Sequence, residues 1–417
     1  MFCAGPDSVS LADRGKVLHP APWSNLTESP ECRMLGGTCY MTRNEPSSLP
    51  APQMEEDPRF LTEQIVTYLG NKRSLLHFLG TGLEQVKKRL GKERLKAGDL
   101  FSGSGIVARF LKQHSEELIV NDLEEYSRVV NTCYLSNAEE VENLELDRHY
   151  RRLLRYMETH ESPGFITELY APRNPDCITA DDRVFYTRRN AVYLDTARQT
   201  INLLPAEIRP YFIAPLLAEA SVHTNTSGVF KGFYKDRNGI GKFGGTGGNA
   251  LSRILGDISL PFPVFSRFDC RYSIHCRDAN ELAAELPEMD VVYLDPPYNQ
   301  HPYGSNYFML NLLSSYEKPE ETSRVSGIPA DWKRSMYNSR QHAPEALFRL
   351  LEDCPAKFIL LSYSSEGFIN YEEMTGFLGR LGRTVTLETP YAAFRGSRNF
   401  RNRPQNVTEF LFLVERF

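Results

Sequence analysis

No run of apolar residues in the chain approaches the roughly 18 needed to cross a bilayer, and no basic segment followed by an apolar stretch opens it. A soluble, cytoplasmic protein without a membrane partner is expected. Paired cysteines are lacking too. Cys3, Cys32, Cys39, Cys133, Cys177, Cys270, Cys276 and Cys354 include no C-x-x-C pair, and no Cys/His cluster has zinc-ligand spacing. Free thiols in a reducing compartment are expected, and no metal. Positive charge is not in excess: 48 Lys and Arg face 53 Asp and Glu, for a net charge of −5. A dedicated nucleic-acid-binding domain tends to be basic, so any such face must be local. Two stretches qualify. Residues 231–253 carry five basic side chains against Asp236 alone, and residues 380–403 carry six arginines against Glu388 alone. Each reads as a binding face or as a solvated charged surface.

What the chain does have is length for a well-buried core and two or three domains: 417 residues, 41% hydrophobic and 24% charged. Residues 1–58 are rich in Pro, Ser and Gly without a sustained period, which predicts a disordered or loosely attached arm. Met34, Met41 and Met54 compete with Met1 as the translation start. From Phe60 the pattern becomes regular. "FLTEQIVTYLGNKRSLLHFLGTGLEQVKKRL" reads as two helical stretches around a polar break at residues 70–73. "LKAGDLFSGSGIVARFLKQH" reads as strand, glycine turn and amphipathic helix, and "EELIVNDLEEYSRVVNTCYL" repeats strand then helix. That alternation predicts a parallel sheet with right-handed crossovers, an α/β Rossmann-like fold.

Residues 140–265 interrupt the alternation with helical stretches ("HYRRLLRYMETH", "TARQTINLLP") and then the glycine-rich, basic "TSGVFKGFYKDRNGIGKFGGTGGNALSRI". Glycines at that density favour turns and loops. Strands resume with "YSIHCRDA", "MDVVYLD" and "AKFILLSYSS", and "TVTLETPYAAF" with "VTEFLFLVERF" predicts an antiparallel hairpin at a sheet edge. The expected layout is one doubly wound domain, residues 59–139 and 266–417, with a mainly helical domain inserted at 140–265.

The chemistry begins at "DLFSGSG", Asp99 to Gly105. A glycine turn between strand and helix lets a ligand approach the backbone closely, and the helix N-terminus behind it offers free N–H groups. The spacing Gly103-x-Gly105-x-x-Ala108 also fits a dinucleotide fingerprint, with Asp122 where a ribose-binding acid falls. Asp122 serves equally well, by its place, as a helix cap. No Gly-Lys-Ser/Thr follows the glycines, which excludes a P-loop. The decisive stretch is "VVYLDPPYNQHPYGSNYF", residues 291–308. An exocyclic ring amine is a poor nucleophile because its lone pair is delocalised. A carboxylate and a backbone carbonyl that accept its two N–H bonds favour a pyramidal nitrogen. Pro296 and Pro297 lack N–H groups and fix the backbone direction, Asp295 is the carboxylate, and Tyr298 offers a stacking face for an extruded base.

"DPPY", "DLFSGSG" and the upstream "YLGNKR", in this order, resemble the Dam-like alpha group of S-adenosylmethionine-dependent DNA adenine-N6 methyltransferases. "NQHPYGSNYFMLNLL" and "LLSYSSEGFI" look similar to the methylase domains of FokI-type restriction-modification enzymes. The resemblance covers residues 60–417. It implies S-adenosyl-L-methionine as cofactor, with Tyr68 and Lys72 contacting it, Lys72 at the methionine carboxylate. Asp99, Phe101, Ser102, Gly103 and Gly105 would wrap the amino-acid moiety and Asp122 the ribose. Asp278 would lie near the cofactor adenine, or cap the helix that follows it, and Asp295 would border both cofactor and target. The target is double-stranded DNA. Lys231, Lys235, Arg237, Asn238 and Lys242 would contact it on a loop that orders only there, and Tyr303, Asn306 and Tyr307 would face the flipped base or the gap it leaves. The arginines of residues 394–403 would track the backbone or blunt an edge strand. A monomer acting beside a separate cognate restriction endonuclease is implied. "DPPY" also recurs in RNA and cytosine-N4 amino methyltransferases, which stay open at this point. Removal of residues 1–53 is expected to leave methyl transfer to unmodified DNA unchanged; loss of folding or turnover in the truncated chain would show that this segment packs.

Overall fold

The computed structural model describes residues 55–62, 66–248, 250–392 and 406–417. Most of the expected N-terminal arm lies outside them. Its last residues are anchored: the Glu56 carboxylate accepts the Arg267 N–H at 2.8 Å and the Ser266 hydroxyl at 2.5 Å, and Phe60 is buried.

Seven strands form one sheet: β1 (Leu95–Asp99), β2 (Ser115–Asn121), β3 (Arg271–His275), β4 (Met289–Leu294), β5 (Ala356–Ser364), β6 (Gly382–Ala392) and β7 (Asn406–Arg416), in the order β3-β2-β1-β4-β5-β7-β6. The first five are parallel, while β7 runs antiparallel to both β5 and β6. Parallel strands are covered on both faces and read as continuous apolar runs. All six residues of β4 are buried accordingly. Val291 and Tyr293 face the helices Leu76–Leu90 and Ile106–His114, and Val292 and Leu294 face the helices Ala343–Asp353 and Tyr371–Leu381.

The expected hairpin forms, pairing Gly382 with Arg416 through to Ala392 with Asn406. It lies at the sheet edge, as expected. Leu411, Phe412, Leu413 and Val414 of β7 are all buried, so β7 is an interior strand between β5 and β6. The half-exposed β6 forms the edge. The fold is thus α/β, with the cleft set where strand order reverses between β1 and β4.

Residues 140–265 are largely helical, including Leu146–Thr159, Phe165–Tyr170, Arg188–Ile201 and Pro210–Val222. Residues 54–417 nevertheless form one compact unit. The reason is visible in "PYFIAPLLAEASV". Ten of these thirteen residues are buried, and a helix apolar on every side needs cover on every side. Its partners include Val129, Val130 and Cys133 of the helix Glu125–Tyr134, and Leu310 and Leu313 of the helix Phe308–Ser315. One core therefore joins the helical layer to the segment that follows "DPPY".

A buried carboxylate pins that junction. Asp195 accepts N–H bonds from Gly164 (2.8 Å), Ile166 (3.2 Å) and Thr167 (2.7 Å), and the Tyr316 hydroxyl at 2.7 Å. Tyr316 ends the helix Phe308–Ser315 in a left-handed conformation, φ 56°. Asp195→Ala would strand three backbone donors and a phenol in the interior, at a cost of about 3 kcal/mol or more. A lower urea midpoint for that variant is expected, and an unchanged midpoint would count against this account.

Candidate active site

The glycine turn after β1 is held by close approach rather than by its own hydrogen bonds alone. Gly103 (φ 53°) and Gly105 (φ 77°) are left-handed. A Cβ on Gly103 would stand 2.8 Å from the Tyr68 ring, and one on Gly105 2.7 Å from the Asn131 side-chain oxygen. Only glycine fits both conditions. Ser102 donates its N–H to the Asn121 carbonyl at 3.0 Å, and its hydroxyl accepts from Asn131 at 2.9 Å. Asp122 closes the turn from the neighbouring strand, accepting Gly103 N–H at 2.7 Å and Glu124 N–H at 2.9 Å. The two readings of Asp122 meet here, since it braces backbone donors and lines the cleft at once.

That cleft lies beyond the carboxyl ends of β1 and β4. Its walls include Tyr68, Phe101, Asp122, Glu124, Asp278, Asp295, Pro297 and Tyr303. Phe101 meets Tyr337 edge to face at 5.1 Å. Asp278 both lines the cleft and caps the helix Ala279–Ala283, accepting Asn280 N–H at 2.9 Å. Burial pushes Glu124 up to about 7 against the hydrogen bond it accepts from Asn311. Four carboxylates line this space against Lys333 and Arg277. Aromatic walls, acceptors for hydroxyl groups, an excess of negative charge and a floor that a Cβ would fill together fit a cationic, nucleoside-bearing cofactor. Asp99, beneath the turn, is fully buried, and neither side-chain oxygen has a hydrogen-bond partner. Burial, then the nearby Asp295 charge, holds its carboxyl well above the usual range.

Lys72 departs from expectation. The polar break in "YLGNKR" is a left-handed Gly70 followed by a short 3-10 helix, Lys72–Leu75, capped by the Asn71 side chain. This turns Lys72 into the interior, 3% exposed, with Nζ 3.1 Å from Asp295 Oδ1 and 3.0 Å from Glu409 Oε1. It was expected at the methionine carboxylate, but its ammonium is committed to two protein carboxylates. Burial opposes its charge, yet Asp295 and Glu409 outweigh that and hold its proton well above the usual lysine range. Burial raises Asp295 to about 6, with Lys72 opposing and Glu409 adding to the rise.

The rest of the tetrapeptide follows the strand end. Pro296 is buried, Pro297 lines the cleft, and the Tyr298 carbonyl accepts Phe368 N–H at 3.1 Å. The Tyr298 ring meets Tyr363 at 6.0 Å, and burial pushes its hydroxyl up to about 12. Tyr303 borders the cleft, but Asn306 and Tyr307 do not face a duplex. Tyr307 is fully buried and its hydroxyl accepts Leu69 N–H at 2.6 Å; Asn306 is 2% exposed and its carbonyl accepts Phe230 N–H at 2.7 Å. The apolar "YFMLNLL" after them winds into the shared core and carries both inward. Tyr68 packs with Tyr303 (5.1 Å) and Tyr307 (4.7 Å) in a cluster of three near-parallel rings, with its hydroxyl 2.9 Å from that of Tyr126.

Lys231, Lys235, Arg237 and Asn238 project from an exposed tip, and Lys242 is half-buried at its base. The tip is closed by its own bonds. Asp236 accepts Asn238 and Ile240 N–H at 2.8 and 2.9 Å, and Asn225 pins the base through Val184, Lys242 and Gly244. The arginine-rich residues 394–403 lie outside the described residues. Sequence reasoning missed Glu409, Glu124 and Tyr126. Glu409 left a trace, as an acid in the apolar run "EFLFLV" of a strand with no solvent face.

A sheet of this order with a glycine-floored cleft beside "DPPY" defines an α/β methyltransferase. The family described as D12 class N6 adenine-specific DNA methyltransferase matches residues 68–377, and the chain belongs to it. The chain is 28% identical over 359 residues to the type II methyltransferase M.CviAII of Paramecium bursaria Chlorella virus 1, covering 84% of this chain and 98% of that protein. It is 27% identical to M.NlaIII of Neisseria lactamica, with 84% and 99% covered. Against M.FokI of Planomicrobium okeanokoites the identity is 25%, over 84% of this chain and 52% of that longer protein. The family uses S-adenosylmethionine and acts on DNA, so the RNA and cytosine alternatives fall away. Among the described residues, no helix is long and apolar enough to cross a membrane.

Gly103→Ala is expected to weaken binding of labelled S-adenosylmethionine about tenfold or more, because an overpacked Cβ costs about 1–3 kcal/mol. Wild-type affinity in that variant would remove the turn from the cofactor site.

Proposed function

We propose that this enzyme transfers a methyl group from S-adenosylmethionine to N6 of an adenine flipped out of duplex DNA, at a specific sequence, as the modification component of a restriction-modification system. The observation that carries the catalytic assignment is the setting of Asp295. Lys72 engages its Oδ1, and among the described residues no group is hydrogen-bonded to Oδ2. One oxygen is thereby fixed and the other is left for an amine at the edge of the cleft.

Phe101, Ser102, Gly103, Gly105 and Tyr68 would hold the amino-acid portion of the cofactor, and Asp122 and Asp278 the nucleoside. When bound, the cofactor supplies an electrophilic methyl group on a sulfonium. The chain's own part is to hold the acceptor. Asp295 Oδ2 and a backbone carbonyl of the same tetrapeptide accept the two N6–H bonds, which localises the nitrogen lone pair. Pro296 and Pro297 supply no competing donors and keep those acceptors fixed. Tyr298 gives the base a stacking surface, and its pinned carbonyl limits its movement. The exposed cations at 231–242 and the Arg380 region supply phosphate contacts that fix register without reading bases. The relatives named as type II methyltransferases support a restriction-modification setting.

Labelled S-adenosylmethionine incubated with unmodified duplex DNA should deliver label to N6-methyladenine after digestion to nucleosides; label in cytosine, or in no base, would sink the proposal. Asp295→Ala should abolish transfer and leave cofactor affinity within about twofold, since the carboxylate serves the target. Only the ionised carboxylate accepts its N–H bond well. The transfer rate should therefore be full well above pH 6 and fall as pH drops through about 6, and a rate flat across that window would contradict the assignment.

A further inference from the structure

One group beside the catalytic carboxylate has no part in the mechanism so far. Glu409 sits in the interior of β7, 1% exposed, opposite Ser364 of β5 and Thr389 of β6. Its Oε1 receives the Ser362 hydroxyl at 2.8 Å and stands 3.0 Å from Lys72 Nζ. The same ammonium lies 3.1 Å from Asp295 Oδ1. Resting on the reading of Asp295 above, we propose that Glu409 is a positioning residue for methyl transfer: through Lys72 it decides which oxygen of Asp295 is offered to the target amine.

The physical argument concerns competition for one cation. A lysine facing a single carboxylate is free to swing between both oxygens and take the pair. Here a second carboxylate, held from behind by Ser362, draws the ammonium back, and its nearest approach to Asp295 is to Oδ1 at 3.1 Å. Stability does not account for the acid. Burying charges costs several kcal/mol per ion, and replacing a buried ion pair by apolar residues is often neutral or stabilising. A hydrophobic residue at 409 would match the rest of β7, whose Leu411 and Leu413 point to the same face.

The charge balance points the same way. Asp295 is faced by Lys72 from the 3-10 helix, Glu409 from β7, Asp99 at the end of β1, Tyr293 of β4, Tyr391 of β6, and Tyr298 and Tyr303 from its own loop. Burial raises every one of these phenols, and burial with the Asp295 charge holds Asp99 above the usual carboxylate range. Lys72 and Glu409 are the two groups whose charge acts on Asp295, the first lowering its hold on a proton and the second raising it. Removing the negative one relieves repulsion on Asp295 and lets Lys72 close on both of its oxygens, and each effect favours the ionised carboxylate.

The test is Glu409→Gln, which keeps the side-chain volume and an acceptor for Ser362. Single-turnover transfer of labelled methyl to unmethylated genomic DNA would be followed from pH 5 to pH 9, with binding of labelled S-adenosylmethionine measured in parallel. Cofactor affinity should change less than about twofold and the plateau rate should fall about tenfold. The acidic midpoint should move down by about half a pH unit or more. Glu409→Asp, with its carboxylate withdrawn from Lys72, should shift the midpoint the same way by less. A wild-type midpoint in both variants, or in Glu409→Asp alone where Glu409→Gln does not fold, would overturn the proposal, because a merely structural acid would alter rate or stability without moving the acid limb. Asp295→Asn separates the two readings. If it remains active, the assignment of Asp295 fails. If it is dead while the midpoints of the Glu409 variants stay put, only the role of Glu409 fails.

Discussion

Strands β1 and β4 lie side by side, yet the chain leaves β1 toward β2 on one side and leaves β4 toward β5 on the other. The connections diverge at the seam between their carboxyl ends, and a crevice opens there. The other functional groups are placed relative to that seam. Asp99 and Asp295 stand at its two lips, and the glycine turn and "DPPY" are the first residues past each strand. The continuous burial of β4 keeps the second lip rigid: a strand covered on both faces cannot shift without disturbing both halves of the core.

Much of this was legible because it is local. A strand followed at once by a glycine turn and an amphipathic helix leaves a periodic trace, and Asp-Pro-Pro-Tyr after an apolar run leaves a chemical one. The residues that were misjudged depend on contacts far away in sequence. Lys72 reads as a cofactor-facing basic residue in a polar break, and its commitment to protein carboxylates becomes visible only when β7, more than 300 residues later, is seen at its side. Asn306 and Tyr307 read as members of a polar aromatic loop, and it is the helix after them that draws them inside. The helix Pro210–Val222 has little amphipathic pattern because all its faces are covered, so periodicity could not reveal how deeply residues 140–265 enter the common core.

That shared core alters how the molecule is understood. A domain attached by linkers could read a duplex independently of the catalytic centre. Here the helix Phe308–Ser315, which continues from the catalytic loop, is packed into the helical layer and fastened at its end by Tyr316 to Asp195. The exposed basic tip at 231–242 grows from the same layer, with Asn225 tying its base to Val184. The basic tip and the loop that follows "DPPY" are parts of one packed body, and the match to the D12 family, residues 68–377, spans both.

Tyr68 shows what this integration means for motion. Its ring lies against the Gly103 backbone on one side of the cleft, stacks on Tyr303 and Tyr307, and is fastened through its hydroxyl to Tyr126. Three segments distant in sequence thus share one rigid spacer. A shift of the glycine turn away from the loop beyond "DPPY" would therefore have to break the stacking of Tyr68 or its hydroxyl contact with Tyr126.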